Sequence, residues 1–171
     1  MHTLFADIYS VGTELNFDGT KNHLIACCGM TSFAVSEATA DANAAAFAES
    51  LMKIQLRFGF CHTIVVDKDS KFRGVFAETA DLLGINIHVI SGENHDAMLV
   101  ERVNRFLNKA LAIYCTERGS VKSASNAVQL SLYAWNSAPV VGTDISRSLL
   151  VTGREFSFPI EFNVEKARTL T

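Results

Sequence analysis

Near Asp41 the hydrophobic pattern of this chain changes period, and that change restricts the folds open to it more than any other feature. Upstream, three apolar runs read as strands: His2 to Gly12, Leu24 to Cys28 and Phe33 to Ser36. Asp18-Gly19 supplies hairpin chemistry between the first two. Gly29-Met30-Thr31-Ser32 joins the second to the third, so the three make an antiparallel meander. Downstream, Phe47, Leu51, Ile54 and Phe58 recur at helical spacing through an alanine-rich stretch that Gly59 stops. A strand follows at Cys61 to Val66. A second helix is then expected, capped by Ser70, carrying Phe72, Phe76, Ala80 and Leu83, and closed by Gly84. Ile85 to Ile90 is another strand, and Ser91 to Asp96 a polar loop. Two long helical patterns, Ala97 to Glu117 and Ser120 to Ala138, complete the order, with Gly119 between them and Pro139 after. The tail, broken by Gly142, Gly153 and Pro159, is expected to be irregular. Strands alternating with helices after a meander predict an α/β fold, a mixed sheet flanked by helices.

Composition narrows the function classes. With 171 residues, 49% of them apolar and 19% charged, the chain suits one globular domain rather than a disordered segment. Its longest apolar run, Ala110 to Cys115, is far short of the ~20 residues that a membrane span needs, so no membrane partner is expected. The segment from Met1 to Val11 has neither the basic nor the apolar part of a signal peptide. Cys27, Cys28, Cys61 and Cys115 form no C-x-x-C pair and sit in apolar segments. Reduced, buried thiols in an intracellular protein are expected. A formal net charge of −3 argues against a protein that grips nucleic acid through bulk positive charge.

Three carboxylates break the local pattern. Asp7 lies in the middle of an apolar strand, where a buried charge is costly unless compensated. Asp67 falls just past the end of a strand, where ligand sites of α/β sheets collect. Glu101 opens a long helix directly after a polar loop. At about 100° per residue, Asn104, Arg105 and Asn108 share its side of that helix, opposite Leu99, Val103, Phe106 and Leu107. Such a stripe suits a metal near its start and a phosphate backbone along its length. Each acid also has a structural reading: a satisfied buried acid for Asp7, a helix cap for Asp67, a first-turn glutamate for Glu101. Asp69, Glu93 and Asp96 are nearby competitors that spacing does not exclude.

Three blocks carry a family resemblance. Leu4-Phe-Ala-Asp7, Val65-Val-Asp67-Lys-Asp-Ser-Lys-Phe72 and Val100-Glu101-Arg102-Val103-Asn104-Arg105-Phe106-Leu107 resemble the aspartate, aspartate and glutamate motifs of retroviral and LTR-retrotransposon integrase catalytic cores, in the RNase H-like superfamily. The 33 residues between Asp67 and Glu101 are close to that family's usual spacing. Trp135-Asn136-Ser137, Gly142-Thr143, Ser146 to Arg154 and Phe158-Pro159 are similar to the segment that follows the core in retrotransposon relatives. The chain departs from the pattern in four places. Asp69 replaces a glycine, and Glu93, Asn94 and Met98 stand where a histidine, a proline and a glycine are common. Asn108 occupies a position often basic, and Gly29 one often held by a non-catalytic aspartate.

The resemblance implies a five-stranded mixed sheet, three strands in an antiparallel meander and two parallel, in one core over residues 1–171. Residues 1–138 would be the core proper and 139–171 its extension, without the flanking zinc-binding and C-terminal DNA-binding domains of the family's polyproteins. It implies two Mg²⁺ or Mn²⁺ ions, bridged by Asp7 and completed by Asp67 and Glu101, for 3′-end processing and DNA strand transfer. Asn104, Arg105, Asn108, His95 and Lys68 would contact DNA, the element's ends and its target. It further implies a homodimer or higher oligomer, and action in the nucleus of a eukaryotic host. Two alternatives stand beside it: an RNase H-like or resolvase-like nuclease, and a decayed core kept as a DNA-binding or dimerisation module.

Overall fold

The structure, a computed structural model, describes residues 2–12, 20–90, 98–118 and 123–157. Five strands form one sheet: β1 (Thr3–Ser10), β2 (Asn22–Cys28), β3 (Ala34–Thr39), β4 (Thr63–Val66) and β5 (Asn86–Val89), in the order β3-β2-β1-β4-β5. β1, β2 and β3 are antiparallel neighbours, and β4 and β5 add in parallel to the other side of β1. The expected mixed sheet is therefore present. Helix α1 (Ala44–Phe58) carries the chain across to β4, and α2 (Val75–Leu82) links β4 to β5. Helices α3 (Met98–Arg118), α4 (Ala124–Ser137) and α5 (Arg147–Thr152) follow.

Strand alternation divides the molecule into two cores. Leu4 and Ala6 of β1 pack with Phe47, Leu51 and Ile54 of α1 and with Phe76 of α2. Phe5, Tyr9 and Val11 face the other way, onto Val100, Val103, Leu107 and Leu111 of α3 and Val128 and Leu132 of α4. Asp7 shares the parity of Phe5 and Tyr9, so it faces α3. Each fully buried large side chain of these cores contributes about 1.5–3 kcal/mol of transfer free energy. β2 lies between β1 and β3 and is buried at all seven positions, which matches its apolar run Leu24–Cys28 and also buries the polar Asn22 and His23 at its start.

Helix ends follow local chemistry. Asn43 caps α1 through the Ala46 N–H, and Gly59, at φ +88°, donates its own N–H to Gln55 and stops the helix where expected. The second helix differs from its expectation. Ser70 to Phe72 form a separate 3₁₀ turn capped by Asp69, not by Ser70. Arg73 is extended, and Gly74 at φ +56° breaks the chain before α2 begins at Val75. A helix cannot run through a backbone angle of that sign. Gly84 still closes α2, with the Ile85 N–H bonding back to the Ala80 carbonyl.

Helix α4 starts later than expected, at Ala124. Its cap is Ser123, which accepts from the Asn126 N–H. The tail is less irregular than expected, because Ser146 caps α5 and Gly153 ends it in the left-handed region. Six residues are too few for a helical period to show in sequence. The turn at Asp18-Gly19, the loop 91–97, Gly119 and Phe158-Pro159 lie outside the described residues.

Helix α4 also closes one margin of the sheet. β3 is an edge strand, and the Asn136 amide both donates to the Ala34 carbonyl (2.7 Å) and accepts from the Ala34 N–H (2.9 Å). Gln129 donates to the Ser36 carbonyl at 2.9 Å, and Trp135 Nε1 to the Ser32 carbonyl at 2.8 Å. Arg147 of α5 stacks over the Trp135 ring at 4.2 Å and donates to the Trp135 and Ala138 carbonyls. Side-chain amides thus stand in for a sixth strand.

Candidate active site

Parallel pairing of β1 with β4 sets Phe5 opposite Val65. Asp7 and Asp67, each two residues further on, therefore lie near one another at the carboxyl end of β4, with Asp7 still inside β1 and Asp67 just past its strand. Glu101 arrives from the first turn of α3, which packs on the face that Asp7 uses. All three residues line one cavity of about 160 Å³, walled by Phe5, Val65, Ile90 and Val100. The three acids singled out in the sequence are brought together from three elements. Among the described residues no three acidic, histidine or cysteine side chains stand close enough to hold one ion as they are. The Glu101 carboxylate lies along the helix beside Arg105, 3.7 Å away, in an exposed ion pair.

Asp7 is the most constrained of the three. One carboxylate oxygen accepts from the Ile8 N–H at 2.8 Å and the other from Asn104 Nδ2 at 2.7 Å. Burial nevertheless pushes its pKa above the ordinary carboxylate value of 3.8. The charges of Asp67 and Asp69 push the same way, against the two hydrogen bonds. Beside it, Asn104 Oδ1 is buried without a partner. A half-desolvated carboxylate, two further carboxylates at close range and an unfilled acceptor together fit a hydrated hard cation better than they fit a self-sufficient protein core.

Asp67 is exposed, and one of its oxygens accepts from the Asp69 N–H at 3.0 Å. The Asp69 carboxyl lies below the ordinary value, chiefly because the Lys71 N–H bonds to it at 2.9 Å. The Lys71 ammonium, at 3.4 Å, adds to the effect. Lys68 and Arg105 are exposed beside the cavity residues. Asn108, one turn beyond Asn104, accepts from the Tyr9 hydroxyl at 2.7 Å, and burial raises the pKa of that hydroxyl. Asn104 and Asn108 are thus joined to β1 through Asp7 and Tyr9. His95, Glu93 and Asp96 lie outside the described residues. Sequence pattern alone reveals neither Tyr9 as the partner of Asn108 nor Asp69 as the partner of Asp67. The two-residue spacing of Tyr9 from Asp7 on a strand was the available signal.

No protein-family profile and no curated protein matches the sequence. Solved structures do match. The chain superposes on a chain of the simian T-cell lymphotropic virus intasome, solved in complex with the PP2A regulatory subunit B56 gamma, with a TM-score of 0.75 and 17% identity. That match covers 92% of this chain but only 56% of the viral one, so this chain spans little more than half of its neighbour's length. A dimeric form of the HTLV-2 integrase catalytic core domain in complex with magnesium matches at TM-score 0.69 and 16% identity, over 85% of this chain and 92% of that one. The BIV integrase catalytic core matches at 0.69 and 17%, over 89% and 94%. The chain has the fold of the retroviral integrase catalytic core.

Proposed function

We propose that the chain is an integrase-type polynucleotidyl transferase core that trims the 3′ ends of a retroelement's DNA and joins them to target DNA. The observation that carries this reading is the convergence of Asp7, Asp67 and Glu101 on one cavity, with Asp7 held in a state that wants positive charge beside it. When bound, two divalent ions would activate a water or 3′-hydroxyl and neutralise charge on the attacked phosphate. Magnesium in the HTLV-2 core supports their use here.

The chain's own residues then have distinct tasks. Asp7, fixed by Ile8 and Asn104, is the preset ligand at the centre. Asp67 is the second ligand. Glu101 becomes the third by exchanging its exposed pairing with Arg105 for the cavity, which costs little because such pairs are worth only about 0–1 kcal/mol. Arg105, once released, and Lys68 are free to meet the phosphate backbone. Asn104 serves by orienting Asp7, and Asn108 by orienting Tyr9, before either meets DNA.

We further propose a homodimer. Met52, Leu56 and Phe60 in and just after α1 and Leu130 on α4 are large apolar side chains left exposed, and the HTLV-2 core was solved as a dimer. DNA as substrate would place the reaction in the nucleus of a eukaryotic host.

The test is Mn²⁺- or Mg²⁺-dependent strand transfer and disintegration on a branched DNA substrate. The wild-type chain is expected to act, and Asp7→Asn and Glu101→Gln to be inactive while still folded. Activity retained in either variant would sink the assignment.

A further inference from the structure

Asp67 lies beyond the end of β4 and is exposed, so the ladder that fixes β4 does not fix its side chain. An aspartate so placed samples several rotamers unless something holds it. Here the Asp69 N–H holds one carboxylate oxygen at 3.0 Å. The same motif then repeats one step along. Asp69 Oδ1 accepts from the Lys71 N–H at 2.9 Å, and Lys71 Nζ lies 3.4 Å from Oδ2. The Asp69 carbonyl accepts from the Phe72 N–H at 3.2 Å. Phe72 is buried, with its ring edge-on to Phe76 at 5.1 Å. Two side-chain-to-backbone turns in series therefore run from Asp67 through Asp69 to an anchor in the core.

We propose that Asp69 is a positioning residue for Asp67. Its carboxylate holds the 3₁₀ turn, and the turn aims the Asp69 N–H that orients the Asp67 carboxylate toward the shared cavity. The role rests on the reading of Asp67 as a metal ligand, but the orientation itself exists without metal. Asp69 has φ −58° and ψ 136°, a backbone that any residue adopts, so substitutions here carry no backbone strain. Asparagine keeps the accepting oxygen and removes the charge, whereas alanine removes both. The pair separates hydrogen bonding from electrostatics.

Two measurements on the full chain test this. In the metal-free protein, amide hydrogen exchange should show the position-69 N–H losing about 5-fold in protection in Asp69→Ala and staying near wild type in Asp69→Asn. By calorimetric titration, Mn²⁺ affinity should fall about 10-fold in Asp69→Ala and change little in Asp69→Asn. Exchange in Asp69→Ala indistinguishable from wild type overturns the proposal. So does an Asp69→Asn variant that binds Mn²⁺ as poorly as Asp69→Ala, since charge and not the turn would then be the cause. A wild-type chain without Mn²⁺ affinity would overturn the metal reading instead, and the exchange data would decide the role of Asp69 alone.

Discussion

The β3 margin and the carboxyl end of β1 and β4 are both polar, yet they are built differently. At the margin, neutral amides meet backbone dipoles one to one. Asn136 uses both ends of its amide on Ala34, Gln129 takes the Ser36 carbonyl, Arg147 lies on the Trp135 ring, and Arg57 pairs with Glu37 of β3. At the carboxyl end, like charges are gathered and Asp7 is buried among them, with an acceptor of Asn104 left over. In the first region the Ala34 and Ser36 backbone groups are paired as folded, although Arg147 Nε is left over; in the second a carboxylate raised in pKa by burial stands beside like charges. Unpaired polar atoms occur in both regions, and only at the carboxyl end do they stand beside a buried carboxylate and further like charges.

Breaking the Asn136 pairing at the β3 margin should have the largest effect on stability. Asn136→Ala leaves the Ala34 N–H and carbonyl buried without partners. It should lower the unfolding free energy in urea by about 2–4 kcal/mol. Asp7→Asn should do the reverse, raising the stability of the metal-free protein at neutral pH by roughly 0.5–2 kcal/mol while abolishing activity. An asparagine at that position still accepts from Ile8, and its NH₂ finds an acceptor if the Asn104 amide turns over.

The pH dependence sharpens the contrast. A carboxyl whose folded pKa lies above 3.8 binds its proton more tightly folded than unfolded. Wild-type stability from this group is therefore present at low pH and is lost as pH rises from 3.8 through the raised value. Asp69 is shifted downward and works in the opposite sense, losing its contribution only as pH falls below 3.8. Urea midpoints measured against pH should show the first slope in wild type and not in Asp7→Asn. The smallest effect is expected for Arg105→Ala, whose exposed pair with Glu101 should change unfolding free energy by less than about 0.5 kcal/mol. A larger loss in the same urea assay would mean that Glu101 is held, not merely parked.

The sheet and the three acids were legible in the sequence because they violate or obey short-range rules. Asp7 interrupts an alternating strand, Asp67 ends one, and the meander shows a period of two before Asp41 shows 3.6. What stayed hidden depends on distance. Asn104 was visible as part of a polar stripe, but its partner is 97 residues away, and helical phase alone does not reveal it. Trp135-Asn136 was recognisable as a motif, while its task of closing the β3 edge needs a strand about a hundred residues upstream. The helix break at Gly74 was missed for a local reason. A glycine is compatible with a helix, and only its positive φ reveals that the chain turns there.

A five-stranded open sheet has two margins, and here they are unequal. On the β3 side, Asn136 and Gln129 already occupy backbone groups that a foreign strand would need, so a second sheet cannot simply grow onto that rim. The other rim is β5, four residues long and largely exposed. Any runaway stacking of misassembled chains is thereby confined to one short border, directly upstream of the segment that leads into Glu101. Selection against aggregation and selection for catalysis would then act on neighbouring residues of the same stretch of chain.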